Sequence, residues 1–387
     1  MPRSAPTARA AIVRELALVF FKLGATGFGG PAAHIALMED EVVRRRGWLT
    51  RERFLDYVGA ANLIPGPNST ELAIHIGHAL AGWPGLLTAG LAFIIPATLI
   101  VSAAGWAYVR YGALPEVAGL LYGIKPVMIA IVAQALWSLG RVALKTRALA
   151  LLGVLAVVAT ALGVHELLVL AAGALAMALA TLARRHASHT SASLLGAVAA
   201  IWGGGLTVSA GSTTLPFGLV QLFLVFAKIG AVLFGSGYVL LAFLRADFVE
   251  RLGWLTEAQL LDAIAVGQVT PGPLFTTATF IGYVVGGPTG AVVATAGIFL
   301  PGFVFVALSG PLVPRIRRSA IAGAALDGVI VASLALMATV GWQLGRAALV
   351  DGVTIVLAIA GLLTLARFRI NSVWLIAAGG TLGLLLG

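Results

Sequence analysis

Apolar residues run in long stretches along most of this chain, and polar residues gather in the gaps between them. Runs able to cross a bilayer recur at about 85–107, 117–140, 148–164, 166–183, 192–210, 289–309, 320–343, 350–366 and 370–387. Roughly twenty apolar residues let a helix span the hydrocarbon core. In lipid, a chain without β-barrel patterning must satisfy its backbone within helices. The pattern therefore predicts an all-α polytopic membrane protein. Four further segments, near 14–33, 54–80, 217–239 and 260–285, are apolar but interrupted by Gly and Pro. They predict broken helices or re-entrant hairpins, because Pro lacks an N–H and cannot continue a helix.

The interrupted segments come in matched pairs. Lys22, Gly24 and Phe28-Gly29 recur 206 positions later as Lys228, Gly230 and Phe234-Gly235. Gly47-Trp48-Leu49-Thr50 returns as Gly253-Trp254-Leu255-Thr256, and Pro65-Gly66-Pro67 as Pro271-Gly272-Pro273. One residue is then lost from the second copy, so Gly77 matches Gly282 and Pro96 matches Pro301 at an offset of 205. An internal repeat of half an apolar chain is the signature of a transporter built from two related halves. The expected division is a first repeat over 1–190, a linker helix over 191–215 and a second repeat over 216–387.

Composition narrows the class. Of 387 residues, 60% are hydrophobic and 10% charged, well below the charged share of soluble domains. The net charge of +10 does not form one patch, so no nucleic-acid partner is expected; the basic residues sit between apolar runs, where orientation signals belong. There is no cysteine, which removes disulfides and thiolate chemistry. No cofactor or metal is expected, and no cleaved signal peptide. Membrane lipids are the expected surroundings, and association as a homodimer is left open. Arg44, Arg45, Arg46, Arg51 and Arg53 mark a cytoplasmic loop, whereas the matched loop keeps only Arg245 and Arg251 among acids. Farther on the bias reverses, with Arg315, Arg317 and Arg318 against Arg110 alone. Opposite bias in matched loops predicts an inverted-topology repeat, with its halves upside down relative to each other.

Chemistry concentrates at the breaks. In Pro65-Gly66-Pro67-Asn68-Ser69-Thr70-Glu71, a helix should begin near Pro67. The N–H groups of Asn68, Ser69 and Thr70 would then be free inside the membrane, at the positive end of the helix dipole. Such an end suits an anion, and the Ser69 and Thr70 hydroxyls add donors. The second copy repeats the break with Thr276 and Thr277. Gly29, Gly30, Gly235 and Ser236 form the other matched break, where a backbone or a ligand can approach closely. A structural kink, with its freed groups met by neighbouring helices, is the competing reading. Lys22 and Lys228 each lie in an apolar run ahead of a break, placed either to balance a divalent anion or to snorkel to headgroups.

Glu71, His75 and His78 share one helix face, and His34 lies nearer the Arg-rich loop. A membrane carboxylate beside histidines is a candidate proton path, with Glu71, His75 and His34 as coupling groups. The alternative is an early-helix acid favoured by the dipole, with packed histidines. Thr50 and Thr256 read as helix caps.

These residues, in this order, resemble the chromate ion transporter family. Lys22-Leu23-Gly24, Phe28-Gly29-Gly30-Pro31 and Asn62-Leu63-Ile64-Pro65-Gly66-Pro67-Asn68-Ser69-Thr70-Glu71 carry the likeness, with Lys228-Ile229-Gly230, Phe234-Gly235-Ser236-Gly237 and Thr270-Pro271-Gly272-Pro273 in the second copy. The resemblance implies efflux of chromate across the bacterial inner membrane, driven by the proton-motive force. Sulfate, a tetrahedral dianion of similar size, is the alternative substrate, and a passive anion channel the alternative mechanism. No Walker-type phosphate loop supports direct use of ATP.

Overall fold

The computed structural model describes residues 6–112, 114–186, 217–234, 237–368 and 372–386; the expected linker helix and the span at 192–210 fall outside them. Every regular element among these residues is helical. The first repeat opens with α1 (Pro6–Thr26), breaks at 27–29, and returns as α2 (Gly30–Glu39) with a π-helical turn, Asp40–Arg45. Lys22 faces Glu41 at 3.7 Å and Glu15 faces Arg46 at 3.6 Å, so the two arms are antiparallel. α3 (Arg51–Ala61) and the start of α4 (Asn68–Tyr111) form a second hairpin. Tyr57 stacks on His75, and Asn68 donates to Asn62 across the tip at 2.6 Å.

α4 has 44 residues, about 66 Å if straight and roughly twice a bilayer core. It does not run straight. At Gly82, φ 64° and ψ −143° reverse the path, and an alanine Cβ placed on Gly77 would overlap the Gly85 carbonyl. The arm 68–81 therefore enters and turns back, and 83–111 crosses.

The second repeat copies this plan. α8 (Leu219–Val232), a 3₁₀ turn at Gly237–Val239, α9 (Leu240–Leu244) and a π-helical turn, Arg245–Arg251, make the first hairpin. α10 (Glu257–Val269) leads through a 3₁₀ turn, Leu274–Thr276, into α11 (Thr277–Arg318), which reverses at Gly286 and Gly287. The sequence-predicted caps form: Thr50 accepts from the Arg53 N–H, and Thr256 makes a capping box with Gln259. Gly90 lies against Phe303, and Gly105 against Tyr283, which the close approach of Gly282 to Gly290 sets level with the start of the crossing arm of α11. The crossing arms of α4 and α11 are therefore antiparallel, with the turns at Gly82 and Gly287 at opposite ends. That is the inverted repeat read from the loop charges.

The remaining helices are α5 (Pro115–Ala143), α6 (Arg147–Ala161), α7 (Glu166–His186), α12 (Ala320–Ala348), α13 (Gly352–Phe368) and α14 (Ser372–Leu386). They pack across the repeats rather than within them: α6 and α7 lie on α12, while α13 and α14 lie on α5. Close backbone approaches at matched glycines make the exchange possible. A Cβ on Gly123 would overlap the Gly379 carbonyl, and one on Gly328 the Gly173 carbonyl. Small residues permit such approach in a membrane, where packing rather than the hydrophobic effect joins helices.

Candidate functional site

The four hairpin tips meet in two pairs inside the molecule. The Gly66 N–H donates to the Leu233 carbonyl at 2.8 Å, and the Gly272 N–H donates to the Gly27 carbonyl at 2.7 Å. Each Pro-Gly-Pro tip is thus tied to the other repeat's glycine break, by bonds related through the 206-residue repeat. Both glycines hold positive φ, 131° at Gly66 and 88° at Gly272, which admits glycine far more readily than other residues. Gly29 and Gly30, at φ 102° and 77°, make the first break possible in the same way. Pro65, Pro67, Pro271 and Pro273 bracket the tips and interrupt the helices there. Gly235 and Ser236 lie outside the described residues.

The helix after Pro67 begins where its sequence predicts, at Asn68. The Thr70 N–H, expected to be free, instead bonds the Pro67 carbonyl at 2.7 Å, because the first turn tightens behind a proline. Asn68 and Ser69 keep N–H groups without an acceptor among the described residues. Ser69 and Thr70 are buried, and the Thr70 Oγ1 has no hydrogen-bond partner. In the second repeat the hydroxyl protons are already committed: Thr276 donates to the Pro273 carbonyl and Thr277 to the Leu274 carbonyl, each at 2.8 Å. The hydroxyl donors expected from both repeats therefore narrow to those of the first.

Glu71 has no exposed surface, and neither carboxylate oxygen has a partner. It sits between Gly66, where a Cβ would overlap its Oε1, and Gly302 on the crossing arm of the second repeat. An unpaired carboxylate there is costly to keep ionised. His75 lies one turn on, stacked on Tyr57 with Nε2 unpartnered, while His78 is exposed against Trp83. His34 lies at the first break instead: its Nε2 donates to the Gly27 carbonyl at 3.0 Å, its ring meets Phe93 edge-on, and its Nδ1 is buried without a partner. It secures the first break beside the incoming Gly272 N–H.

The two lysines are not at the tips. Lys22 is exposed and pairs with Glu41; Lys228 pairs with Asp247 at 2.6 Å, and Arg251 meets the same carboxylate at 2.5 Å. Arg45 reaches Glu41 at 3.4 Å, so Lys–acid–Arg clusters stand at matched places in both repeats. Their repeat spacing made Glu41 and Asp247 legible as partners, a signal missed in reading the lysines alone. Gln268, matched to Asn62, and Thr98, beside the Ala97 that touches Gly272, were also missed; both carry buried unpartnered polar atoms.

The family profile of the chromate transporters matches residues 14–178 and again 220–384, the two halves just described. The chain belongs to the chromate transporter family. This member is 34% identical to the chromate transport protein of Cupriavidus metallidurans, over 98% of this chain and 94% of the relative. It is 32% identical to the chromate transport protein of Pseudomonas aeruginosa, over 95% and 91%. A probable chromate transport protein of Synechococcus elongatus is also 32% identical, over 91% and 89%. No solved structure matches. The helices and the family together make it a multi-pass membrane protein of a transporter family.

Proposed function

We propose that this protein exports chromate, a tetrahedral oxyanion, across the bacterial inner membrane, coupled to the proton-motive force. The carrying observation is the meeting of the tips, where the dipole end at Asn68 and Ser69, the unpartnered Thr70 hydroxyl and the unpartnered Glu71 carboxylate lie on consecutive residues. The N–H groups and the Thr70 hydroxyl bind the oxygens. Glu71, with His75 next to it, takes up and releases the proton. Lys22 and Lys228 brace their hairpins through their acid partners rather than acting as direct ligands.

Proteoliposomes test this reading. Glu71→Gln should keep chromate binding and lose the response of transport to a pH gradient. Thr70→Val should weaken binding about ten- to a hundredfold, as expected for loss of a hydrogen bond to a charged group. Full pH-dependent transport by Glu71→Gln would leave Glu71 as an ordinary first-turn acid. Tighter binding of sulfate than chromate by the purified protein would change the substrate.

A further inference from the structure

The helices fall into two bodies that do not coincide with the sequence repeats. One holds all four hairpins with the crossing arms of α4 and α11, packed as α1 on α4, α8 on α11, and α4 on α11. The other is the bundle of α5–α7 and α12–α14, locked by the exchanged glycine contacts. Because α7 lies on α12 and α14 on α5, the repeats cannot rock apart as units without tearing this bundle.

The bundle leans on one repeat only. α10 packs on α5 and α12, and α9 packs on α12. Their counterparts α3 and α2 make no comparable packing with the bundle among the described residues. Matched side chains record the difference. Leu261 is 3% exposed and Leu55 51%; Phe243 is 0% exposed and Leu37 40%. Two ion pairs close the packed side: Lys125 to Asp262 at 2.9 Å, with Tyr108 donating to the same carboxylate, and Lys228 to Glu166 at 3.5 Å. Each joins the bundle to the hairpin body.

We infer that this is one of two transport states, with the bundle closed on the second repeat's hairpins and parted from the first's, and that Lys125–Asp262 and Lys228–Glu166 are the latch of the closed face. An inverted repeat supplies the second state by letting each repeat take the other's arrangement. The bundle then leaves α9 and α10 and covers the apolar positions Leu37 and Leu55 on α2 and α3. The positions matched to the Lys125–Asp262 latch are Ile330, at offset 205, and Asp56, at offset 206; they approach in that state. The inference uses the transport reading only for its flux measurement.

The cysteine-free chain makes the test direct. Lys125→Cys with Asp262→Cys, joined by a short bis-maleimide, should lose chromate transport. Lys145→Cys with Asp327→Cys is the control. That ion pair spans 3.0 Å between the sequence repeats but lies inside the bundle, so joining it should leave transport intact. Asp56→Cys with Ile330→Cys should cross-link in membranes, more so when Lys125→Ala loosens the latch, with no substrate required. Full transport by the 125–262 linked protein overturns the inference. Loss of transport in the 145–327 linked protein, which would put the movement between the repeats, also overturns it. So does absence of the 56–330 cross-link even with Lys125→Ala. If the unlinked protein does not move chromate, the proposed substrate fails while the 56–330 result still decides the inference.

Discussion

Gly30, Gly66 and Gly272 share a left-handed backbone but differ in what surrounds them. Nothing lies within 4 Å of a Cβ placed on Gly30, whereas one on Gly66 would overlap Glu71 Oε1, and one on Gly272 would stand 2.5 Å from the Ala97 Cβ. Gly30→Ala should therefore cost about 1 kcal/mol, the backbone term alone. Gly66→Ala and Gly272→Ala should cost more and also abolish transport. Thermal unfolding of purified protein beside transport assays separates the two classes, and equal losses at all three sites would contradict this account. Asp351 shows a different effect outside the membrane spans. Its carboxylate accepts from the Thr354 N–H at 2.8 Å and from the Tyr122 hydroxyl at 2.6 Å. The backbone bond from Thr354, then the Tyr122 hydroxyl, hold its pKa below the ordinary carboxylate value. A lowered pKa means that the stabilisation is complete above that ordinary value and disappears as pH falls through the folded one. The Tm of Asp351→Asn should sit below that of the parent at neutral pH and converge with it on acidification.

At the scale of elements, the hairpins depend on reversals that hydropathy alone does not reveal. The span expected at 85–107 is the outgoing arm of a helix that reverses at Gly82, and the span at 289–309 follows Gly287 in the same way. The glycine pairs of the bundle decide which helices neighbour one another. Gly379→Leu would drive α14 from α5, because its Cβ already falls 2.7 Å from Val127 Cγ2 and 2.8 Å from the Gly123 carbonyl. The expected outcome is loss of monodisperse protein on detergent extraction. Gly323→Leu, on α12 with open space around its Cβ, should extract normally. Loss in both variants would remove the distinction.

For the whole molecule, the antiparallel crossing arms require that matched loops lie on opposite sides of the membrane. Arg45→Cys and Arg251→Cys, made singly, should react with a membrane-impermeant maleimide from opposite faces. The side that labels Arg45→Cys should be the cytoplasm, since short Arg-rich loops stay there. Labelling of both from one side would be incompatible with the inverted arrangement.

Sequence alone determined the elements and their breaks. Apolar run length set the spans, Pro-Gly-Pro set the tips, Thr50 and Thr256 set the caps, and the 206-residue match set the repeat. These follow from local rules: a proline removes a donor wherever it stands, and about twenty apolar residues suit a bilayer in any fold. Tertiary structure alone decided what the breaks are bound to. The Gly66 and Gly272 N–H groups go to carbonyls of the opposite repeat, which leaves Asn68 and Ser69 to offer donors. Lys22 and Lys228 turn to acids nineteen residues on rather than to the tips. The bundle exchanges helices between the repeats and presses on only one of them. Each of these is a contact between segments far apart in the chain, chosen by shape and by which neighbour has an unfilled acceptor. Periodicity carries no record of such choices, and the matched threonines Thr70 and Thr276 can be left open or satisfied according to what the fold brings beside them.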